Sequence, residues 1–231
     1  MAELLVPILP SRLYRYRSLA RDPRALTQEL ESISAKYLFC SPFSRMNDPM
    51  EGFFRPSQVL QRSQFRSSLN EITNAKSNIG IACFTETFED VLMWAHYAGN
   101  YNGICISYYA RALVLGLPAD SKVVRLTYVD EPPLVYPSHV RNMSKAAVHI
   151  LSQKKYAWAY EREWRVLAHV GEVPIESEQP VRAIYLGSRI SQDHRKTILQ
   201  RIKRLAIKAY AMKVDGYAHT WEPINAAARG D

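Results

Sequence analysis

The chain switches repeatedly between a two-residue and a 3.6-residue hydrophobic period. RLYRYR at 12–17 alternates, which places Leu13, Arg15 and Arg17 on one side of a strand and Tyr14 and Tyr16 on the other. Pro23 then opens a helix over PRALTQELESISAKY, where Leu26, Leu30 and Ile33 recur at helical spacing. YLFCSPF reads as a short strand, and the Asn-Asp-Pro chemistry of MNDPMEG as a loop. Between Pro56 and Asn78, Val59, Leu60, Phe65, Leu69 and Ile72 are spaced for helices, and IGIACF follows as a buried strand. TFEDVLMWAHYAGN predicts a helix with Thr87 as N-cap, Asp90 three residues on and Gly99 as C-cap. GICISY and KVVRLTYV are strands, NMSKAAVHILSQKKYAWAY a helix, and EWRVLAHV a strand. VRAIYLG, the basic SQDHRKTILQRIKRLAIK and AIKAYAMKV close the chain as strand, helix and strand; Ile198, Ile202 and Leu205 form the buried stripe of that helix.

Helices interleaved with hairpin-like strand neighbours predict an α+β fold, a mixed and largely antiparallel sheet flanked by helices. The length of 231 residues and 47% apolar content support a substantial core, and a single domain over 1–231 is expected. The 13 prolines are scattered, and there is no Gly/Ser tract, charge block or internal repeat to mark a linker. The apolar patch of MAELLVPILP carries an early acid, Pro7 and Pro10, so it reads as a poor signal peptide, and no stretch has the run of about 20 apolar residues that a membrane span needs. Cys40, Cys83 and Cys105 lie in apolar contexts with no CxxC spacing, which predicts reduced core thiols, a cytoplasmic protein and no zinc.

The formal net charge of +8 points to polyanionic or anionic partners without choosing among nucleic acid, nucleotide and acidic protein. The candidate chemistry centres on YEREWRV. As a strand, this segment puts Glu161, Glu163 and Arg165 on one face and Tyr160, Trp164 and Val166 on the other. The acids must then meet water, an ion-pair partner or a ligand. Arg15 and Arg17 share a face of another strand, where two guanidinium forks can hold phosphate or carboxylate oxygens, or neutralise Glu161 and Glu163. Trp94, Tyr97 and Tyr101 offer aromatic area for the core or for stacking a base or pyridinium ring. His96 falls in the last turn of its helix, where a cation suits the dipole, and it has no histidine or cysteine neighbour at metal-ligand spacing. Asp48 and Glu51 can offer oxygen ligands to a cation, but such pairs are common in turns without metal, and no metal is assigned. GxxxxGK[ST], GxGxxG, GxSxG and HExxH are all missing.

The order LYRYRS, FSRMNDPME, CFTE, MWAHYA with GICI, and WAYEREWR resembles a family of bacterial proteins catalogued as domain of unknown function 2971, roughly from Leu13 to Gly187. That label implies kinship without an activity. A remoter resemblance is to the ADP-ribosyltransferase superfamily, with Arg15 or Arg17 on the first strand, Thr85 in CFTET, and Glu161-x-Glu163 late in the chain; Thr-Glu-Thr stands where that superfamily has Ser-Thr-Ser. This resemblance implies NAD as substrate and a transferase or glycohydrolase acting in bacterial defence or as a toxin. Glu163 would stabilise the positive charge that develops on the ribose, and Glu161 would orient or deprotonate the protein or nucleic-acid acceptor. An early arginine would hold the diphosphate or its ribose, an aromatic such as Tyr97 would stack on the nicotinamide ring, and Thr85, Trp94 and His96 would also contact the nucleotide. Two other readings stay open. One is a nucleic-acid binder or a metal-dependent nuclease using Asp48, Glu51 and Glu86; the other is a sensor that recognises a small polar ligand without turning it over.

Overall fold

The computed structural model describes residues 2–4, 8–19 and 22–224. The chain forms an α+β fold whose elements divide between two compact units. The first comprises residues 1–7, 38–83 and 117–173, and the second residues 8–37, 84–116 and 174–231. Part of the amino-terminal apolar patch, residues 5–7, lies outside the described residues.

In the first unit Glu3–Leu4 runs parallel to Lys122–Arg125, which pairs antiparallel with Glu163–His169. Ile79–Thr85 lies on the other side of Glu163–His169, and Ser41 and Pro42 of the Tyr37–Pro42 strand pair with Ile81 and Gly80. Gly80 is required there, because a Cβ would sit 2.5 Å from the His169 carbonyl oxygen. Helices Arg66–Ser77 and Met143–Leu151 pack on each other, with Leu60, Ile72, Val135, Ala146 and Ile150 buried around them. A second cluster joins Ile81, Val124 and Leu167 of the sheet and the neighbouring Leu126 to Leu151. Burying each such aliphatic side chain contributes about 1.5–3 kcal/mol.

The 142–160 region departs from the expected single helix. Its helix ends at Leu151, Gln153–Lys155 forms a short strand parallel to Thr127–Val129, and Tyr156–Glu161 makes a 3₁₀ segment. Asn142 caps the helix start by accepting from the Lys145 amide at 2.9 Å. A second small parallel pair joins Arg55–Pro56 to Leu134–Val135.

The second unit orders its strands as Arg12–Arg17, Ile104–Tyr109, Val181–Leu186, Lys208–Asp215 and Ala218–Pro223. All neighbours in that order are antiparallel except Val181–Leu186 and Lys208–Asp215, which run parallel and are joined through helix Gln192–Lys203. The sheet is mixed and largely antiparallel, as the hydrophobic pattern predicts. Tyr14, Phe88, Tyr185, Trp94 and Trp221 fill an aromatic interior, with Phe88 stacked on Tyr185 at 4.0 Å between ring centres. The helix Val91–Tyr97 is capped by Asp90, whose carboxylate accepts from the Leu92 and Met93 amides. Thr87, the expected cap, accepts from the Glu89 amide at 3.1 Å in a turn one step earlier. The helix Ala110–Gly116 and the strand Ala218–Pro223 are additions to the elements that the sequence pattern predicts. No helix among the described residues is long and apolar enough to cross a membrane.

Candidate functional site

Glu161 and Glu163 come together, although they do not share a strand. Glu161 ends the 3₁₀ segment, Arg162 takes a left-handed conformation at φ 44°, and the strand begins at Glu163. The turn at Arg162 brings both carboxylates to one ammonium group. Lys154 Nζ donates to Glu161 Oε2 at 2.5 Å and to Glu163 Oε2 at 2.9 Å. Arg165, two residues along the same strand face, donates from Nε to Glu163 Oε1 at 2.7 Å. Its Nη1 reaches Glu51 Oε1 and the Leu151 carbonyl, both at 2.8 Å. The Lys154 ammonium also lies 5.0 Å from the centre of the Trp158 ring.

This network is buried, with Glu161 at 3%, Glu163 at 4% and Arg165 at 1% exposure. Burial alone would push the Glu163 carboxyl up, but the charges of Arg165 and Lys154 outweigh it and hold Glu163 well below the usual carboxylate range. Burial likewise opposes the charged forms of Lys154 and Arg165, and the neighbouring carboxylates overcome it and raise both. All three groups are therefore charged at neutral pH. Tyr128 accepts the Glu163 amide at 2.7 Å through its hydroxyl oxygen, and burial pushes that phenol up to about 12.

Two members of the network, Glu51 and Lys154, also line a cleft of about 350 Å³. Its other walls include Asp48, Met50, Phe53, Asp130 and Glu131. The Asp48–Phe53 turn is fixed from within. Asp48 Oδ1 accepts from the Met50 amide at 2.9 Å, and the Glu51 amide donates to the Asp48 carbonyl at 3.0 Å. Gly52 adopts φ +70°, and its carbonyl accepts from Lys76 Nζ at 2.6 Å. Lys76 is buried between the Phe43 and Phe54 rings, 5.1 and 4.8 Å from their centres, and burial lowers its pKa.

The remaining expected site residues belong to the second unit. Arg17 is paired with Glu29 of helix Ala25–Ala35, while burial lowers its pKa against that partner's pull. Arg15 is buried, with its guanidinium 5.9 Å from the centre of the Phe84 ring. Thr85 is buried and registers opposite Tyr14. Trp94 is fully buried, donates from Nε1 to the Phe88 carbonyl at 2.7 Å, and meets Tyr16 edge-on and Tyr101 face-on. His96 is exposed in the last helical turn, with its ring 6.4 Å from that of Tyr97. These positions make an aromatic interior with one outward histidine.

Comparison with known families supports part of the sequence reading. Residues 93–166 match the family model described as Protein of unknown function (DUF2971). No curated protein and no solved structure matches the chain. The matched span contains Lys154, Glu161 and Glu163 and stops just beyond Arg165, whereas Glu51 lies outside it. Among the described residues, no group of three or more His, Cys, Asp and Glu side chains is arranged to hold a metal ion.

Sequence reasoning missed Lys154, because it lies in a segment whose pattern continues the preceding helix. The signal available was SQKKY: two consecutive lysines before an aromatic run cannot both sit on the solvated side of a half-buried strand. Glu51 was recognised as an oxygen donor, but its partnership with Arg165, 114 positions away, carries no local signature.

Proposed function

We propose that the protein recognises a small polar ligand without chemical turnover, through the cleft bounded by Glu51 and Lys154. The supporting observation is that this cleft shares walls with a buried ion-pair network. Buried charges held by fixed partners give polar recognition groups that need little reordering on binding. Met50 and Phe53, more than half exposed beside the cleft, supply apolar contact around those groups. Glu161 and Glu163 are not among the lining residues, and Arg165 and Lys154 occupy their carboxylates, so they serve this reading as supports for the wall.

Thermal unfolding with a panel of amines, carboxylates, nucleosides and NAD tests the reading, with product analysis of every mixture. Some members of the panel should raise the Tm saturably without being consumed, a ligand at a hundredfold over its Kd adding about 2.7 kcal/mol. The shift should fall in a Met50→Ala, Phe53→Ala double variant. NAD consumption by wild type that is abolished in Glu163→Gln would overturn this reading in favour of an ADP-ribosyl transferase or NAD glycohydrolase.

A further inference from the structure

Resting on that reading, we infer that the cleft takes an organic cation with an apolar body, a primary amine or amidinium carried on a ring or short chain, with its charged head at Glu51. The Glu51 side chain is only 3% exposed. Its Oε1 accepts from Arg165, while its Oε2 is buried with no hydrogen-bond partner. A carboxylate oxygen in that state forfeits a strong interaction, and a bound donor restores it. Arg165 cannot serve it further without loss, since the same guanidinium also holds Glu163 and the Leu151 carbonyl.

The rest of the lining sets the sign of the ligand's charge. Asp48, Asp130 and Glu131 join Glu51, against Lys154 and Lys155. Lys154 is committed to Glu161 and Glu163, which takes its charge out of competition for an anion. Lys155 is exposed, and Glu131 spends part of its charge on Arg55 at 2.8 Å. The lining thus combines Glu51, which keeps one unmet carboxylate oxygen, with further acids and carbon surface from Met50, Phe53, Val129 and Pro133. This combination favours a cationic head and an apolar tail over a phosphate or carboxylate.

Benzylamine and benzamidine, with benzyl alcohol and benzoate as neutral and anionic counterparts, are the probes, titrated into isotope-labelled protein and followed by amide chemical shifts. The cations should perturb Met50, Gly52, Phe53 and Lys154 saturably and bind at least about tenfold tighter than benzyl alcohol or benzoate. Glu51→Gln should weaken the cations about tenfold and leave benzyl alcohol unchanged. Because that variant also touches Arg165, the exposed Asp130→Asn provides a second check, weakening the cations about twofold, and added salt should weaken them further. Equal binding of benzoate or benzyl alcohol at the same amides overturns the cation assignment while the ligand-binding reading survives. Failure of all four probes to perturb those amides overturns the cation assignment, and the reading beneath it falls as well if the wider panel gives no shift sensitive to Met50 and Phe53.

Discussion

The strands Arg12–Arg17 and Glu163–His169 look alike in the sequence, each alternating charged with aromatic or aliphatic residues, and both are buried along most of their length. They solve the problem of a buried charge differently. Arg17 finds its counter-ion, Glu29, twelve positions away on the next helix, and its side chain stays 39% exposed. Arg165 is fully enclosed and distributes its donors over Glu163, Glu51 and the Leu151 carbonyl, groups from a strand, a loop and a helix end. Losing that single pair strands one buried carboxylate, Glu29. A shared guanidinium in the interior leaves several acceptors stranded when it goes, and even when present it leaves Glu51 Oε2 unmet.

Breaking both sides measures that difference. Arg165→Met should destabilise the protein by about 3–5 kcal/mol in urea unfolding, because two carboxylates lose their buried partner. Arg17→Met should cost less, about 1–3 kcal/mol, because it strands one buried carboxylate, Glu29, where Arg165→Met strands two. Equal losses would mean that sharing of the Arg165 donors has no energetic weight.

Acid titration sharpens the comparison. The folded protein holds the Glu163 pKa below its ordinary value of 4.5, so its stabilising contribution is complete above that pH and is lost as the pH falls through the folded value. Glu163→Gln should therefore lower stability at pH 7 and flatten the decline below about pH 4.5, read from urea midpoints across pH. An unchanged acid limb would show that the network does not couple Glu163 to folding. A feature with no buried charge gives a small effect: Asp90→Ala removes two cap hydrogen bonds and should cost about 1 kcal/mol in the same assay.

How much of this was legible depended on the range of the interaction involved. The two-residue period located Glu163 and Arg165 on one face, and the helical period located Leu30, Ile72, Ile198 and Ile202 in the core, because both patterns are written within one element. The left-handed Arg162 between the two acids was not visible, since a positive φ at a non-glycine residue is imposed by its surroundings. Nor could the pattern reveal how three segments of chain interleave in each compact unit, because separated segments leave no composition break between them. Long-range pairs such as Glu51 with Arg165 need the tertiary structure before either residue acquires a role.

For the proposed ligand binding, the buried Lys76 has a consequence for how fast a guest would enter. Its ammonium grips the Gly52 carbonyl and is itself sandwiched by Phe43 and Phe54, so the turn beside the cleft is bolted to the helix Arg66–Ser77 instead of hanging loose. Under the proposed ligand binding, a cleft wall anchored in this way would have little folding left to do on encounter, so association would be a matter of diffusion and orientation and residence time would distinguish one guest from another.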